Sequence, residues 1–188
     1  LPARELSAGL AEIIKHGIIA DADYLQRTEA GMAQARRGDA AVLGELVARS
    51  CEIKAGVVAS DEREQGSRAM LNFGHTFGHA IETGMGYGQW LHGEAVGTGM
   101  IMACDLSRRL GMIDAALCER VAAVAASAGL PVRAPDWPFE RWVELMSADK
   151  KAQLGTPRFI LLEGIGAPVM RRVPDQALRE TLAACAGR

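Results

Sequence analysis

The stretch Leu71-Asn-Phe-Gly-His75-Thr-Phe-Gly-His79-Ala-Ile-Glu82 concentrates the side chains in this sequence best suited to hold a metal ion. Three of the chain's four histidines lie between His75 and His92. A helix over 71–82 would place His75, His79 and Glu82 on one face, four and three residues apart. Neutral imidazole is the commonest metal ligand, and an i, i+4 pair makes a two-tooth clamp. Gly74 and Gly78 repeat the spacing and would let another backbone, or a ligand, come close. An HxxxH pair alone is more often structural than metal-binding. The third histidine, His92 in Leu91-His92-Gly93-Glu94, weighs toward a site. It falls at a predicted helix start, where unpaired N–H groups favour anions.

A second cluster lies near the N-terminus. Glu12 falls within an apolar stripe of Leu6, Leu10, Ile13, Ile14 and Ile18, with Lys15 three residues on. A carboxylate among isoleucines is costly unless it is paired or ligates a metal. An ordinary Glu–Lys surface pair is the plainer reading, and the residues leave the two open. His16, four after Glu12, has ligand spacing but reads as structural.

These groups must be held by helices. Helical periodicity runs over 4–20, with Ser7 or an earlier residue as its cap and Gly17 weakening its far end. Asp21 opens a second helix, Gly38-Asp39 breaks it, and 40–58 forms a third. The polar run 60–68 reads as a loop delivering the chain into the histidine segment, close enough for Glu64 and Arg68 to reach the same cavity. The glycines of 84–88 make a connector, followed by helices over 92–110, 114–128 and 139–146. Strands over 158–162 and 169–173 flank Gly164-Ile-Gly166 as the one β-hairpin, and a helix over 176–186 closes the chain. The expectation is a mainly α fold with a short hairpin near the C-terminus, occupying 1–188 as one domain.

The 188 residues are about half hydrophobic with a net charge of −2, which argues against disorder. That balance offers nothing to nucleic acid or an acidic membrane surface. Cys51, Cys104, Cys118 and Cys185 form no CxxC pair and read as buried small hydrophobes of a reducing compartment. With no apolar run of spanning length and no signal pattern, a cytoplasmic location is expected. The glycine-rich phosphate loops GxGxxG and GxxxxGK[ST] are absent. The start at Leu1, almost directly in an amphipathic helix, reads as the continuation of something longer.

Several motifs together resemble a family. They are Gly9-Leu-Ala-Glu12-Ile-Ile-Lys15, Lys54-Ala-Gly-Val-Val-Ala-Ser-Asp61-Glu-Arg-Glu64, Arg68-Ala-Met-Leu-Asn72 running into His75, His79 and Glu82, Leu91-His92-Gly93-Glu94, and Asp149-Lys150-Lys151. In order and spacing they resemble the C-terminal domain of 3-dehydroquinate synthase, in the sugar-phosphate cyclase superfamily. The resemblance implies a multi-helix domain whose metal, zinc or cobalt, is held by Glu12, His75 and His92. It replaces the i, i+4 clamp and makes His79 a proton relay in the substrate pocket. Lys15 and Glu64 would join the catalytic group, with Glu64 orienting nearby cations. Lys54, Arg68, Asn72 and one of Lys150 and Lys151 would bind substrate.

The implied reaction converts 3-deoxy-D-arabino-heptulosonate 7-phosphate to 3-dehydroquinate and phosphate, in the shikimate pathway to aromatic amino acids. It proceeds by NAD oxidation of a hydroxyl, β-elimination of phosphate, return of hydride, and ring opening with aldol closure. NAD would sit in an N-terminal domain with no counterpart here, so this chain alone should not turn over. A homodimer is implied as well. Other cyclases of the superfamily, making deoxy-scyllo-inosose or an epi-valiolone, look different at the positions matching Lys54, Asn72 and His79. A metal-dependent polyol dehydrogenase would carry Asp in place of Glu12. A non-catalytic helical module for dimerisation or docking is the reading from outside enzymology.

Overall fold

The computed structural model describes residues 1–61, 66–86, 88–148 and 158–187. Its helices are α1 (Ala3–Ala20), α2 (Ala22–Arg36), α3 (Ala40–Ser60), α4 (His75–Met85), α5 (His92–Arg109), α6 (Ala115–Ser127), α7 (Phe139–Ala148) and α8 (Asp175–Cys185). A short 3-10 helix, Ser67–Asn72, precedes α4, and strands β1 (Arg158–Leu162) and β2 (Pro168–Arg172) pair antiparallel. The mainly α architecture with one hairpin is the one expected.

Side-chain caps mark three of the helix starts. Asp21, Asp39 and Asp114 accept backbone N–H bonds at the starts of α2, α3 and α6, satisfying donors the helix leaves unpaired. Ser7 is not a cap: α1 begins after Pro2, and Ser7 is buried inside it. α1 continues past Gly17 to Ala20. A Cβ on Gly17 would lie 3.0 Å from the Leu25 Cα, so the missing side chain is what lets α2 cross so closely.

α5 is the centre of the molecule. It is buried from Gly93 through Met100 and again at Met102, Ala103, Cys104, Leu106 and Ser107, and it packs against α1, α4, α6, α8 and β1. A helix apolar on most of its faces belongs in a core, and its small residues bring its neighbours close. Ser107 Oγ donates to the Ala103 carbonyl at 2.7 Å and accepts the Leu162 N–H at 3.0 Å, tying β1 to this helix. The Gly166 N–H donates to the Ile18 carbonyl at 2.8 Å, so the hairpin tip is fixed to the end of α1.

The segment 71–82 is not one helix. Leu71 and Asn72 end the 3-10 helix, Gly74 takes a left-handed φ of 81°, and α4 starts at His75. Only a residue without Cβ enters that conformation cheaply, and a Cβ on Gly74 would also lie 2.7 Å from Met100 Cγ. The loop read over 60–68 is shorter than expected, because α3 runs to Ser60 and the 3-10 helix starts at Ser67. Cys51 is exposed and Cys118 only half-buried, against the expectation of four buried thiols; all four cysteines are free. On one face of α4, Phe77, Ala80 and Ile81 are buried, and the Phe77 ring packs on Phe159 and Trp142. Burying a side chain the size of Phe77 stabilises by about 1.5–3 kcal/mol. It also fixes which way the histidine face turns.

Candidate metal and substrate site

Three backbone approaches bring the chemistry together. A Cβ on Gly93 would overlap the Ala8 carbonyl, so α1 and the start of α5 are in main-chain contact beside Glu12 and His92. A Cβ on Gly99 would overlap the Gly74 carbonyl, and one on Gly78 would lie 3.1 Å from the Val96 Cα. α4 and α5 therefore pack glycine to backbone, bringing His75 and His79 up to His92. The start of α5 is fixed from outside by Arg4. Its guanidinium donates to both Glu94 oxygens at 2.7 Å and to the Gln89 carbonyl, while Glu94 accepts the Leu91 N–H at 2.8 Å.

Donor atoms of Glu12, His75 and His92 all lie within 4.8 Å of one another. The two rings stand 5.3 Å apart between centroids. His75 Nδ1–H donates to the Phe73 carbonyl at 3.2 Å, and His92 Nδ1–H to Glu82 Oε2 at 3.0 Å. With each Nδ1 engaged, Nε2 is the nitrogen left to bind. One carboxylate and two imidazoles oriented in this way fit a divalent ion with open positions for other ligands. Ligand atoms of His79, Glu82 and His92 likewise lie within 4.8 Å of one another, in a second grouping that shares His92 with the first. It contains two members of the one-face trio read from spacing.

Lys15 gives the site its field. Its side chain is 3% exposed and its ammonium bonds both Glu12 oxygens, at 2.9 and 2.7 Å. Burial pushes the Glu12 carboxyl up, but Lys15 outweighs that and the net shift is downward. Burial also pulls the Lys15 ammonium down, opposed by Glu12 and assisted by Lys54. His75 is lowered to about 4, first by burial and then by Lys15, so at neutral pH it is a neutral ring ready to ligate. His16 is not part of the site. It is buried and its Nδ1 lies 2.6 Å from Ser50 Oγ, in agreement with the structural reading.

Glu12, Lys15, Lys54, Arg68, Asn72, His75 and His92 line one open cleft of about 440 Å³, joined by Leu71. The described residues that the resemblance makes metal ligands or substrate contacts, Glu12, His75, His92, Lys54, Arg68 and Asn72, are therefore brought together with Lys15. His79 is not on the cleft wall; its ring stands 5.4 Å from His75 and 6.1 Å from His92. Glu64, Lys150 and Lys151 lie outside the described residues. Sequence reasoning missed Arg4 and the Ala8 contact, which nothing local announces. It also missed Asp61, whose Oδ2 accepts the Gly66 and Arg68 N–H groups at 2.7 and 3.0 Å and so returns the chain to the cleft.

The family description "3-dehydroquinate synthase C-terminal" matches residues 9–152. The chain belongs to that family. Among solved structures it is similar to the 2-epi-5-epi-valiolone synthase of Streptomyces hygroscopicus subsp. jinggangensis 5008, solved with NAD+ and Zn2+ bound. That likeness has a TM-score of 0.88 at 26% identity, over 98% of this chain and 52% of that one. A 2-deoxy-scyllo-inosose synthase complexed with carbaglucose-6-phosphate, NAD+ and Co2+ shares the fold with a TM-score of 0.84 at 24% identity, over 98% and 53%. A further 2-deoxy-scyllo-inosose synthase structure gives 0.79 at 23%, over 98% and 51%. The chain spans about half the length of these structures. Family and fold relate this member of the 3-dehydroquinate synthase C-terminal family to the sugar-phosphate cyclases. No helix among the described residues is long and apolar enough to cross a membrane.

Proposed function

We propose that this chain is the metal- and substrate-binding part of a 3-dehydroquinate synthase. Its substrate would be 3-deoxy-D-arabino-heptulosonate 7-phosphate, and its products 3-dehydroquinate and phosphate, in the shikimate pathway. The observation that carries the reading is the cleft itself, where three ligand-competent groups stand beside Lys15, Lys54 and Arg68. That substrate bears both a carboxylate and a phosphate, so it needs more cationic neutralisation than a sugar phosphate alone.

Glu12, His75 and His92 would hold a zinc or cobalt ion, as ions of these kinds are bound in two of the similar structures. When bound, the ion supplies Lewis acidity toward a substrate hydroxyl and NAD supplies a hydride acceptor. In this reading Lys15 keeps Glu12 ionised and presents positive charge at the cleft wall. Lys54 and Arg68 neutralise the substrate's anionic ends, with Arg68 able to take two oxygens side by side. Asn72 donates or accepts at a substrate hydroxyl, and His79, next to both ligating rings, relays the proton. Glu64, Lys150 and Lys151 complete the substrate contacts by analogy with the family. NAD binds a preceding N-terminal domain, the full enzyme is a cytoplasmic homodimer, and the isolated chain does not turn over.

The test is calorimetric titration of Zn2+ into the metal-stripped chain, beside a His75→Ala/His92→Ala control. The metal-loaded chain is then offered the heptulosonate phosphate or carbaglucose-6-phosphate. One bound ion, lost in the control, with preference for the carboxylated ligand supports the proposal. Preference for carbaglucose-6-phosphate would move the chain to another cyclase specificity. Absence of metal binding would favour the docking-module reading.

A further inference from the structure

We propose that Glu82 is a positioning residue, fixing the His92 ring with its proton on Nδ1 so that Nε2 faces Glu12 and His75. The proposal deepens the metal-site reading above and rests on it.

His92 is the first residue of α5, and its side chain is half exposed. Packing does little to hold such a ring, which would otherwise sample several rotamers and both tautomers. Beside ring contacts with His75 and His79, the directional restraint on it is the 3.0 Å hydrogen bond from Nδ1 to Glu82 Oε2. Glu82 is well placed to give it. It lies two helical turns after His75 on α4, on the same side, with about a third of its side chain exposed. The same helix thus supplies one ligand and the support for another that arrives on α5. His75 is held by the same device in another form, through the Phe73 carbonyl.

The grouping of His79, Glu82 and His92 acquires an explanation in these terms. While Glu82 accepts the Nδ1 proton, that nitrogen has no lone pair for an ion. Glu82 then belongs behind the ligand rather than beside it. Carboxylates placed behind ligating histidines set tautomer and orientation, and their loss typically weakens metal affinity about 10–100-fold.

The test compares the wild-type chain with Glu82→Gln and Glu82→Ala. Nitrogen-15 NMR of the His92 ring, in metal-free protein at alkaline pH, reads the tautomer directly. The expected result is the Nδ1–H form in wild type, its retention in Glu82→Gln, whose amide oxygen still accepts, and its loss in Glu82→Ala. Co2+ titration should show affinity reduced about 10–100-fold in Glu82→Ala and less in Glu82→Gln. Unchanged thermal melts of the metal-free variants would separate positioning from unfolding. The same tautomer in all three proteins would overturn the proposal. So would two Co2+ ions in wild type falling to one in Glu82→Ala, which would make Glu82 a ligand. A Glu82-dependent tautomer in a chain that binds no Co2+ supports the tether while removing the metal reading, so the two fail separately.

Discussion

Ala8 and Gly93 meet main chain to main chain, the glycine Cα pressed against the alanine carbonyl with no room for a Cβ. Four residues along α1 is Glu12, and one residue before Gly93 is His92, so this contact sets the separation of two ligand candidates.

Gly93→Ala should therefore act on structure and site together. The added methyl meets a helical backbone that cannot swing aside, and overpacking of this kind costs about 1–3 kcal/mol or more. A lowered melting temperature with weakened Zn2+ binding is expected. Glycine-to-alanine changes at Gly9 or Gly44, where a Cβ meets nothing within 4 Å, should be neutral or slightly stabilising.

Glu94→Ala removes the acceptor of the Leu91 N–H and the partner of Arg4 at once. Loss of the cap alone is worth about 1 kcal/mol. Glu94→Gln keeps an acceptor for Leu91 but not the ion pair, so it should fall between wild type and Glu94→Ala in thermal denaturation. Equal destabilisation by both would show that the charge, and not the cap, holds the start of α5.

Glu12→Ala tests the metal ligand but carries a second consequence. It strands the nearly buried Lys15 ammonium without its partner; breaking a fully buried pair costs about 3–5 kcal/mol, and with Glu12 about a third exposed the cost here falls below that range. The double variant Glu12→Ala/Lys15→Met should recover stability over the single one while still failing to bind Zn2+. Denaturant melts and calorimetry on the same samples would show whether the two effects separate in this way.

His16 gives a pH signature. Burial, and then Lys15, lowers it to about 4 in the fold, against about 6.5 in an unfolded chain. Between those values the unfolded state binds more protons, so stability rises with pH. The contribution is complete above about pH 6.5 and is lost as the pH falls toward 4, a change of about 3 kcal/mol. His75 shifts the same way, so the comparison must be with His16→Gln. That variant should show a flatter stability profile across this window, and an identical slope would count against the assignment.

Helix by helix, the architecture was legible in the chain because apolar residues recur at helical spacing and Asp21, Asp39 and Asp114 mark the starts. The site was legible only in part. Spacing paired His75 with His79, since neighbours on a helix are all that a one-dimensional pattern can express. The structure instead groups His75 with Glu12 from α1 and His92 from α5, a contact made by packing. The break at Gly74 was hidden for a related reason. A glycine among histidines reads as room for a ligand, whereas its left-handed backbone and the nearby Met100 are tertiary facts. Arg4 and Asp61 were invisible because each acts on main chain or side chains far along the sequence or across a turn.

The three converging donors belong to α1, α4 and α5, and two of those helices are separated in the chain by all of α2 and α3. No local segment can assemble such a site before the helices have docked. An ion that binds there recognises the native topology and not the unfolded chain. Each tenfold excess of free ion over its dissociation constant would then deepen the native well by roughly 1.4 kcal/mol. Occupancy becomes a reporter of completed folding, and a chelator would lower the melting temperature without touching a single residue of the core.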